Sequence, residues 1–379
     1  MLTRKKFIHT AGACLLGMPM LQACTHNADD ARYVSAVQRV WHPTPPSLVS
    51  PLLVQQELVR CATLAPSSHN TQCWKFHIEE NGVRLMPDFL RRCPAVDPDD
   101  HHLFVSLGCA LENMAQAALA NGLHAQAFFD AAANQVHVNL TPTKPLSTPL
   151  YQAIAERQCT RAAFDGRPLA NAELKLLEQA GTGDGVRVVL LTEKSALEKV
   201  LKYVVAGNTV QLNDQAFMRE LKSWIRFDSR EAVSTGDGLY SATSGNPPVS
   251  RWLGSRLMDV VLTPQGENDK YAKHIRSSAG IAVFVSASSD SAHWLEAGRC
   301  YQRFALRATA LGIRNAMVNQ AVEVGAIRPA FARAVMGNYS DAADQAGASA
   351  GARADLVVRF GRGPIMPRSL RRNLQSVLV

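Results

Sequence analysis

Residues 65–74 of this 379-residue chain read Ala65-Pro66-Ser67-Ser68-His69-Asn70-Thr71-Gln72-Cys73-Trp74. The apolar-periodic run before them, residues 58–64, predicts a short helix. Pro66 ends that helix, because proline has no amide N–H and restricts the residue before it. Hydroxyl, imidazole and carboxamide side chains then follow closely. Such a loop could surround a flat heterocycle with hydrogen-bond donors and acceptors, although an ordinary Ser/Asn-rich helix end has the same composition.

An internal similarity indicates a duplication whose two copies have diverged. Residues 106–123 align without a gap with residues 296–313, which pairs Gly108 with Gly298. Both segments are predicted as helices, because small residues recur at i, i+3 and i+4 and a glycine follows the last turn. Two unrelated alanine-rich helices could match in the same way. The order of the surrounding elements distinguishes a duplication from such a chance match.

That order is the same in both halves: a helix, a polar loop and a strand precede each small-residue helix. Helices are predicted at 57–64 and 172–180, and strands at 75–78 and 186–191. We therefore expect an α+β fold made of two degenerate tandem halves around long central helices. The expected divisions are a linker at 25–50, a first half at 51–145, and a second half at 146–379 with a lid insertion near 228–250.

The N-terminal residues 1–24 have the pattern of an export signal. The basic residues 4–6 precede a short apolar run at 11–21, which is too short to span a bilayer. Thr3-Arg4-Lys5-Lys6-Phe7-Ile8 is close to the twin-arginine pattern. Leu21-Gln22-Ala23-Cys24 fits a lipoprotein cleavage site with a lipid anchor at Cys24, and equally a plain cleaved signal with an incidental cysteine. We expect a periplasmic or membrane-anchored bacterial protein.

Composition argues against metal and nucleic-acid binding. The eight cysteines include no C-x-x-C pair and the eleven histidines have no metal-ligand spacing, so no metal site is predicted. The formal net charge is +8, yet no basic patch interleaved with aromatic residues accompanies it. An anionic small molecule is the more economical explanation of the positive charge.

The loop at 65–74 resembles the flavin-edge loop of the FMN-dependent nitroreductase family, Ala-Pro-Ser-Ser-x-Asn-x-Gln-x-Trp, with Cys73 where the family usually has proline. Residues 294–299, at the start of the second small-residue helix, are similar to the narrower Acg-like branch. Family members are usually homodimers with flavin at the interface. The resemblance therefore implies a nitroreductase-like pseudo-dimer in one chain, active as a monomer with one composite FMN site.

A second resemblance concerns the flavin phosphate. Arg157-Gln158-Cys159-Thr160-Arg161 is similar to the family's Arg-x-Ser/Thr-x-Arg segment, with Cys159 in place of a hydroxyl. On a helix, Arg157 and Arg161 would project from one face, and guanidinium groups match phosphate oxygens bidentately. Family members also place a terminal basic residue on the phosphate. Arg371 and Arg372 are the candidates here, with Arg368 as the alternate.

The predicted cofactor-binding residues thus come from three segments, and no catalytic residue is predicted. They are Pro66, Ser67, Ser68, Asn70, Gln72, Arg157, Cys159, Arg161, Arg371 and Arg372. The resemblance implies an FMN-dependent oxidoreductase that reduces nitro compounds, quinones or similar acceptors. NAD(P)H is the usual donor of the family, but an exported protein meets little NAD(P)H, so another reductant stays open. Two alternatives stay open: an exported protein that sequesters flavin under the lid, and a flavin-free binding or structural protein.

Overall fold

The computed structural model describes residues 20–43, 50–336 and 352–379. Most of the predicted export signal and part of the predicted linker lie outside these ranges. The first half of the chain places two helices before a strand hairpin, a long helix and a second hairpin. In chain order these elements are α1 (Met20–Val40), α2 (Pro51–Thr63), β1 (Trp74–Glu79), β2 (Gly82–Pro87), α3 (His101–Ala120), β3 (Leu123–Asp130) and β4 (Gln135–Pro142).

The second half repeats this order around a large helical insertion between its first two long strands. Its elements are α4 (Pro149–Gln152), α5 (Asn171–Gly181), β5 (Val186–Leu191), α6 (Lys194–Asn213), α7 (Gln215–Trp224), β6 (Ile225–Arg226), α8 (Ser229–Thr235), β7 (Leu239–Tyr240), α9 (Arg251–Val261), α10 (Pro264–Arg276), β8 (Gly280–Ser286), α11 (Ser291–Ala310), β9 (Arg314–Met317), α12 (Gln320–Glu323), α13 (Arg328–Met336) and β10 (Arg353–Gly361).

Two four-stranded antiparallel sheets have the same topology. Their strand orders are β1-β2-β4-β3 and β5-β8-β10-β9. In each sheet the strand that comes last in the sequence therefore lies between the second and the third. The insertion α6–α10 replaces the short turn that joins β1 to β2. β8 and β10 are buried along their whole length, because helices cover both faces of the second sheet.

The centre of the fold is the crossing of α3 and α11. Both helices carry glycine at the contact, and both end before a left-handed glycine, Gly122 with φ 76° and Gly312 with φ 69°. By length and composition α3 could cross a bilayer, but most of it is buried inside the fold. This helix therefore serves as a core helix here.

The α+β prediction is confirmed, and the strand predicted at 186–191 has those bounds in the structure. Within the predicted linker, residues 25–40 belong to α1, which packs on α8. The helix expected at the arginine segment is wrong. Residues 157–161 are not helical: Cys159 forms a parallel bridge with Asn315 at the end of β9. The lid insertion at 228–250 contains α8 and β7.

Candidate functional site

A cavity of about 340 Å³ lies where the two halves and the insertion meet. This volume falls within the range of small-molecule sites. The loop at residues 66–70, the arginine segment at 157–161 and the C-terminal residues 367–369 all contribute to its wall, as do residues of the insertion. The two segments predicted to bind opposite ends of one ligand therefore border the same cavity.

The polar loop, residues 66–72, has an unusual backbone. His69, Asn70 and Gln72 have φ values of 48°, 55° and 55°, the left-handed region that side chains with a Cβ rarely adopt. The hydroxyl of Ser67 accepts a hydrogen bond from the Gln72 amide at 2.9 Å, which helps to hold this conformation. Such strain persists only where the surroundings over-determine it, and it concentrates at functional sites.

Two predicted ligand-binding side chains instead hold the loop in place. Asn70 Nδ2 donates to the carbonyl oxygens of Gly238 at 3.0 Å and Leu370 at 3.2 Å. Gln72 is fully buried outside the cavity wall, and its Nε2 donates to the Gly236 carbonyl at 2.9 Å. These bonds fasten the loop to the lid segment, residues 228–250, and to the C-terminal chain.

The loop residues that do border the cavity are Pro66, Ser67, Ser68, His69 and Asn70. His69 was missing from the prediction, which considered only the residues named by the family motif. Its Nε2 atom is buried and finds no hydrogen-bond partner among the described residues. Burial lowers the pKa of His69 to about 4, so its imidazole is neutral at neutral pH.

The arginine segment reaches the cavity from an extended conformation. Arg157, Cys159 and Arg161 all line the wall. Arg157 is only 3% exposed, and its Nη2 donates to the Leu64 carbonyl at 2.9 Å. Its Nε and Nη1 atoms find no hydrogen-bond partner within the described part of the chain. A buried cation with two unsatisfied donors is costly unless a ligand completes its hydrogen bonds.

The terminal arginines differ from their expected role. Arg371 borders the cavity, but its guanidinium is already engaged by the carbonyls of Thr63, Leu64 and Ala65, at 2.8, 3.2 and 3.0 Å. It therefore satisfies the last carbonyls of α2. Arg372 lies outside the cavity wall and donates to the Gln72 carbonyl at 3.2 Å.

Arg359 is a cavity residue that the sequence did not reveal. It sits in the apolar strand β10, is 1% exposed, and donates to the carbonyls of Thr160 and Ala162 at 2.9 and 2.8 Å. Its Nη1 atom finds no partner among the described residues, and burial lowers its pKa to about 10. The available signal was an arginine within the otherwise apolar run at residues 356–360.

Positive side chains outnumber negative ones around the cavity. The basic residues on its wall are Arg157, Arg161, Lys270, Arg359, Arg368 and Arg371, and the acidic ones are Glu267 and Glu323. Burial lowers the pKa of Arg371, and the charges of Arg157 and Arg368 lower it further. Concentrating cations in a poorly solvated space is unfavourable by itself, so the electrostatics suit an anionic ligand.

Comparison with known proteins agrees with this geometry. Two Mycobacterium tuberculosis proteins, from strains CDC 1551 / Oshkosh and ATCC 25618 / H37Rv, are 26% identical to the chain over 333 residues. The match covers 84% of this chain and 88% of each relative, and both names provisionally assign an NAD(P)H nitroreductase. Over most of its length the chain is therefore similar to two proteins whose names carry that provisional nitroreductase assignment. No family model matches the chain.

Solved nitroreductases are more distant. The FMN-dependent nitroreductase NfnB of Mycobacterium smegmatis, in complex with NADPH, is 14% identical, with a TM-score of 0.37, over 60% of this chain and 96% of its own. A Bacteroides fragilis nitroreductase with bound FMN is 12% identical, with a TM-score of 0.33, over 59% and 95%.

Proposed function

We propose that the chain is an FMN-dependent oxidoreductase with one flavin site in the cavity between its halves. The observation that carries this proposal is the position of Arg157. Two donor atoms of its buried guanidinium have no partner among the described residues, and the side chain borders the same cavity as the strained polar loop. A phosphate at one end of a flat heterocycle would satisfy both features at once.

The residues present fit FMN. Donor atoms of Arg157 and Arg359 and the Oε1 acceptor of Gln320 are buried without partners among the described residues, and all three side chains line the cavity. We assign Arg157 and Arg161 to the phosphate, with Arg368 as a further candidate. Arg371 and Arg372 act indirectly, by holding the loop that meets the ring.

Bound FMN would supply two-electron hydride chemistry between a donor and an acceptor such as a nitro compound or a quinone. The residues of this chain bind and orient it. Ser67 and Ser68 edge the ring end, where their hydroxyls would hydrogen-bond its rim, while the side chain of Asn70 holds the loop in place. Residues of the insertion form a further part of the cavity wall and would restrict the access of water to the ring. The names of the M. tuberculosis relatives support NAD(P)H as donor.

The proposed architecture is a fused pseudo-dimer that acts as a monomer. The Acg-like resemblance at residues 294–299 and the shared topology of the two sheets support it.

The proposed location is outside the cytoplasm. The twin-arginine-like residues 3–8 support export, and Cys24 is the candidate lipid anchor. Fractionation of cells that express the full chain would test the location, with loss of membrane association in Cys24→Ala as the sign of lipidation.

The flavin proposal is tested by the absorption spectrum of the purified protein and by the flavin released on heating. We expect about one FMN per chain, bleached by NAD(P)H and restored by a quinone or nitro compound. Arg157→Gln should weaken FMN binding about 10- to 100-fold, since one charge-assisted bidentate contact is lost. The exposed Arg167→Gln is the matched control. A colourless protein that does not bind added FMN would overturn the proposal.

A further inference from the structure

A second group of polar side chains lies beside the polar loop, on the side of α7. His69, Cys93 and Glu220 each place a potential ligand atom within 4.8 Å of the other two. They come from three separate elements: the loop at 66–72, the segment after β2, and helix α7. Their spacing in the sequence therefore gives no hint of a site.

Hydrogen bonds connect the three segments that bear these side chains. Glu220 accepts hydrogen bonds from the backbone amides of Ala95 and Val96 at 2.9 and 3.2 Å, which fastens α7 to the segment that bears Cys93. Arg91, in that same segment, donates from Nε to the Thr71 carbonyl of the polar loop at 2.5 Å. Hydrogen bonds between the three segments therefore hold the cluster together.

These contacts resemble the outer support of a metal centre. A ligating carboxylate is ordinarily oriented by hydrogen bonds to its other lone pairs, and each oxygen of Glu220 keeps capacity after accepting one amide. Cys93 is buried, whereas His69 and Glu220 are partly exposed, so an ion could enter from solvent. Within the described part of the chain the buried Nε2 of His69 finds no hydrogen-bond partner, and a metal ion beside it would satisfy this nitrogen.

We propose that His69, Cys93 and Glu220 form a zinc site that clamps α7 to the polar loop. One nitrogen, one sulfur and one oxygen ligand suit Zn²⁺, and three protein ligands leave a fourth position for water. Tetrahedral bond lengths require ligand atoms roughly 3.5 Å apart, so a contraction of about 1 Å within the cluster is enough. Binding converts the Cys93 thiol to a thiolate and releases its proton to solvent.

The site is distinct from the cavity but shares His69 with it. Cys93 and Glu220 do not line the cavity, and neither is needed for the flavin proposal. A zinc ion would fix the ring of His69 and so stiffen the strained loop. The inference does not depend on flavin binding, and it can be tested on protein with or without FMN.

The test uses the full chain, stripped with a chelator and then loaded with Zn²⁺ or Co²⁺. We expect about one tightly bound zinc per chain after gel filtration. Co²⁺ should give a thiolate-to-metal charge-transfer band and the visible bands of tetrahedral coordination. Cys93→Ser and Glu220→Gln should each lower zinc affinity at least tenfold. Cys61→Ser, another buried cysteine, is the matched control and should bind zinc as the wild type does.

Alkylation of the wild-type protein provides a readout that no folding defect can affect. Iodoacetamide labelling of Cys93, followed by mass spectrometry, should slow at least tenfold when zinc is present, while labelling of Cys159 is unchanged. FMN content is recorded on the same samples, so that loss of flavin is distinguished from loss of zinc. Zinc binding that survives both cluster substitutions, or Cys93 labelling that is indifferent to zinc, would overturn the proposal.

Discussion

Gly108 and Gly298 bring the backbones of α3 and α11 into direct contact. A Cβ at Gly108 would overlap the carbonyl oxygen of Leu295, and a Cβ at Gly298 would overlap that of Val105. Each glycine thus accommodates the backbone of the opposite helix. Gly108 and Gly298, which the internal alignment pairs, therefore both lie at the crossing of the two central helices.

Gly108→Ala should destabilise the protein by about 3 kcal/mol, because the added methyl group must push two buried helices apart. The measurement is the free energy of unfolding in urea. Gly325→Ala is the matched control, since a Cβ at Gly325 meets no atom within 4 Å. Equal unfolding free energies for the two variants would show that the helices can separate without cost.

Arg371→Lys should also lower stability by about 3 kcal/mol. The guanidinium reaches the carbonyls of Thr63 and Ala65 and the side-chain oxygen of Asn70, at 2.8, 3.0 and 2.9 Å. An ammonium group cannot span these acceptors, which would be left buried and unsatisfied. Arg372→Lys, at a partly exposed neighbour, should cost about 1 kcal/mol or less. A smaller loss for Arg371→Lys than for this control would refute the capping role.

His274 should make stability depend on pH. Burial, with the nearby charges of Arg359, Lys270 and Lys273, lowers its pKa to about 4 from the ordinary 6.5. The unfolded chain therefore binds a proton at a higher pH than the folded one, so stability is full above about pH 6.5 and falls as the pH drops towards 4. Because solvent screens this partly exposed group, the expected loss in the free energy of unfolding is roughly 1–2 kcal/mol.

The variant that isolates this effect is His274→Gln, with the exposed His124→Gln as control. Urea unfolding at about pH 7.5 and about pH 5 gives the change in free energy for each protein. The wild type and His124→Gln should lose more stability on acidification than His274→Gln does. The same loss in all three would assign the pH dependence to other groups.

The sequence predicted the elements better than it predicted the roles of individual side chains. Helix periodicity and glycine stops located α3 and α11, since both signals are local. The helical conformation expected at 157–161 was wrong. The Thr160 amide N–H donates to the Asn315 carbonyl at 2.9 Å, and this long-range pairing outweighs the helical spacing of the two arginines. Asn70 and Gln72 were recognised as special, but their bonds to Gly238 and Gly236 depend on how distant segments fold.

The lid segment provides a test of what the protein does with its flavin. Thr243, Ser244 and Asn246 line the cavity, while the carbonyls of Gly236 and Gly238 hold the polar loop. Replacing residues 242–248 by a shorter Gly-Ser linker therefore opens the cavity and leaves the loop contacts intact. Under the proposed function, FMN should dissociate about tenfold faster or more, while turnover persists with a broader range of acceptors.

The measurements are the rate of FMN release, followed by its fluorescence, and NAD(P)H-dependent reduction of a quinone. An equivalent Gly-Ser replacement in the β3–β4 turn, residues 131–133, controls for the altered surface. If the protein instead sequesters flavin, the intact chain should be inactive and the shortened variant should gain activity. Equal flavin retention and equal activity in both forms would contradict a covering role, because residues that wall the cavity must then be irrelevant to its contents.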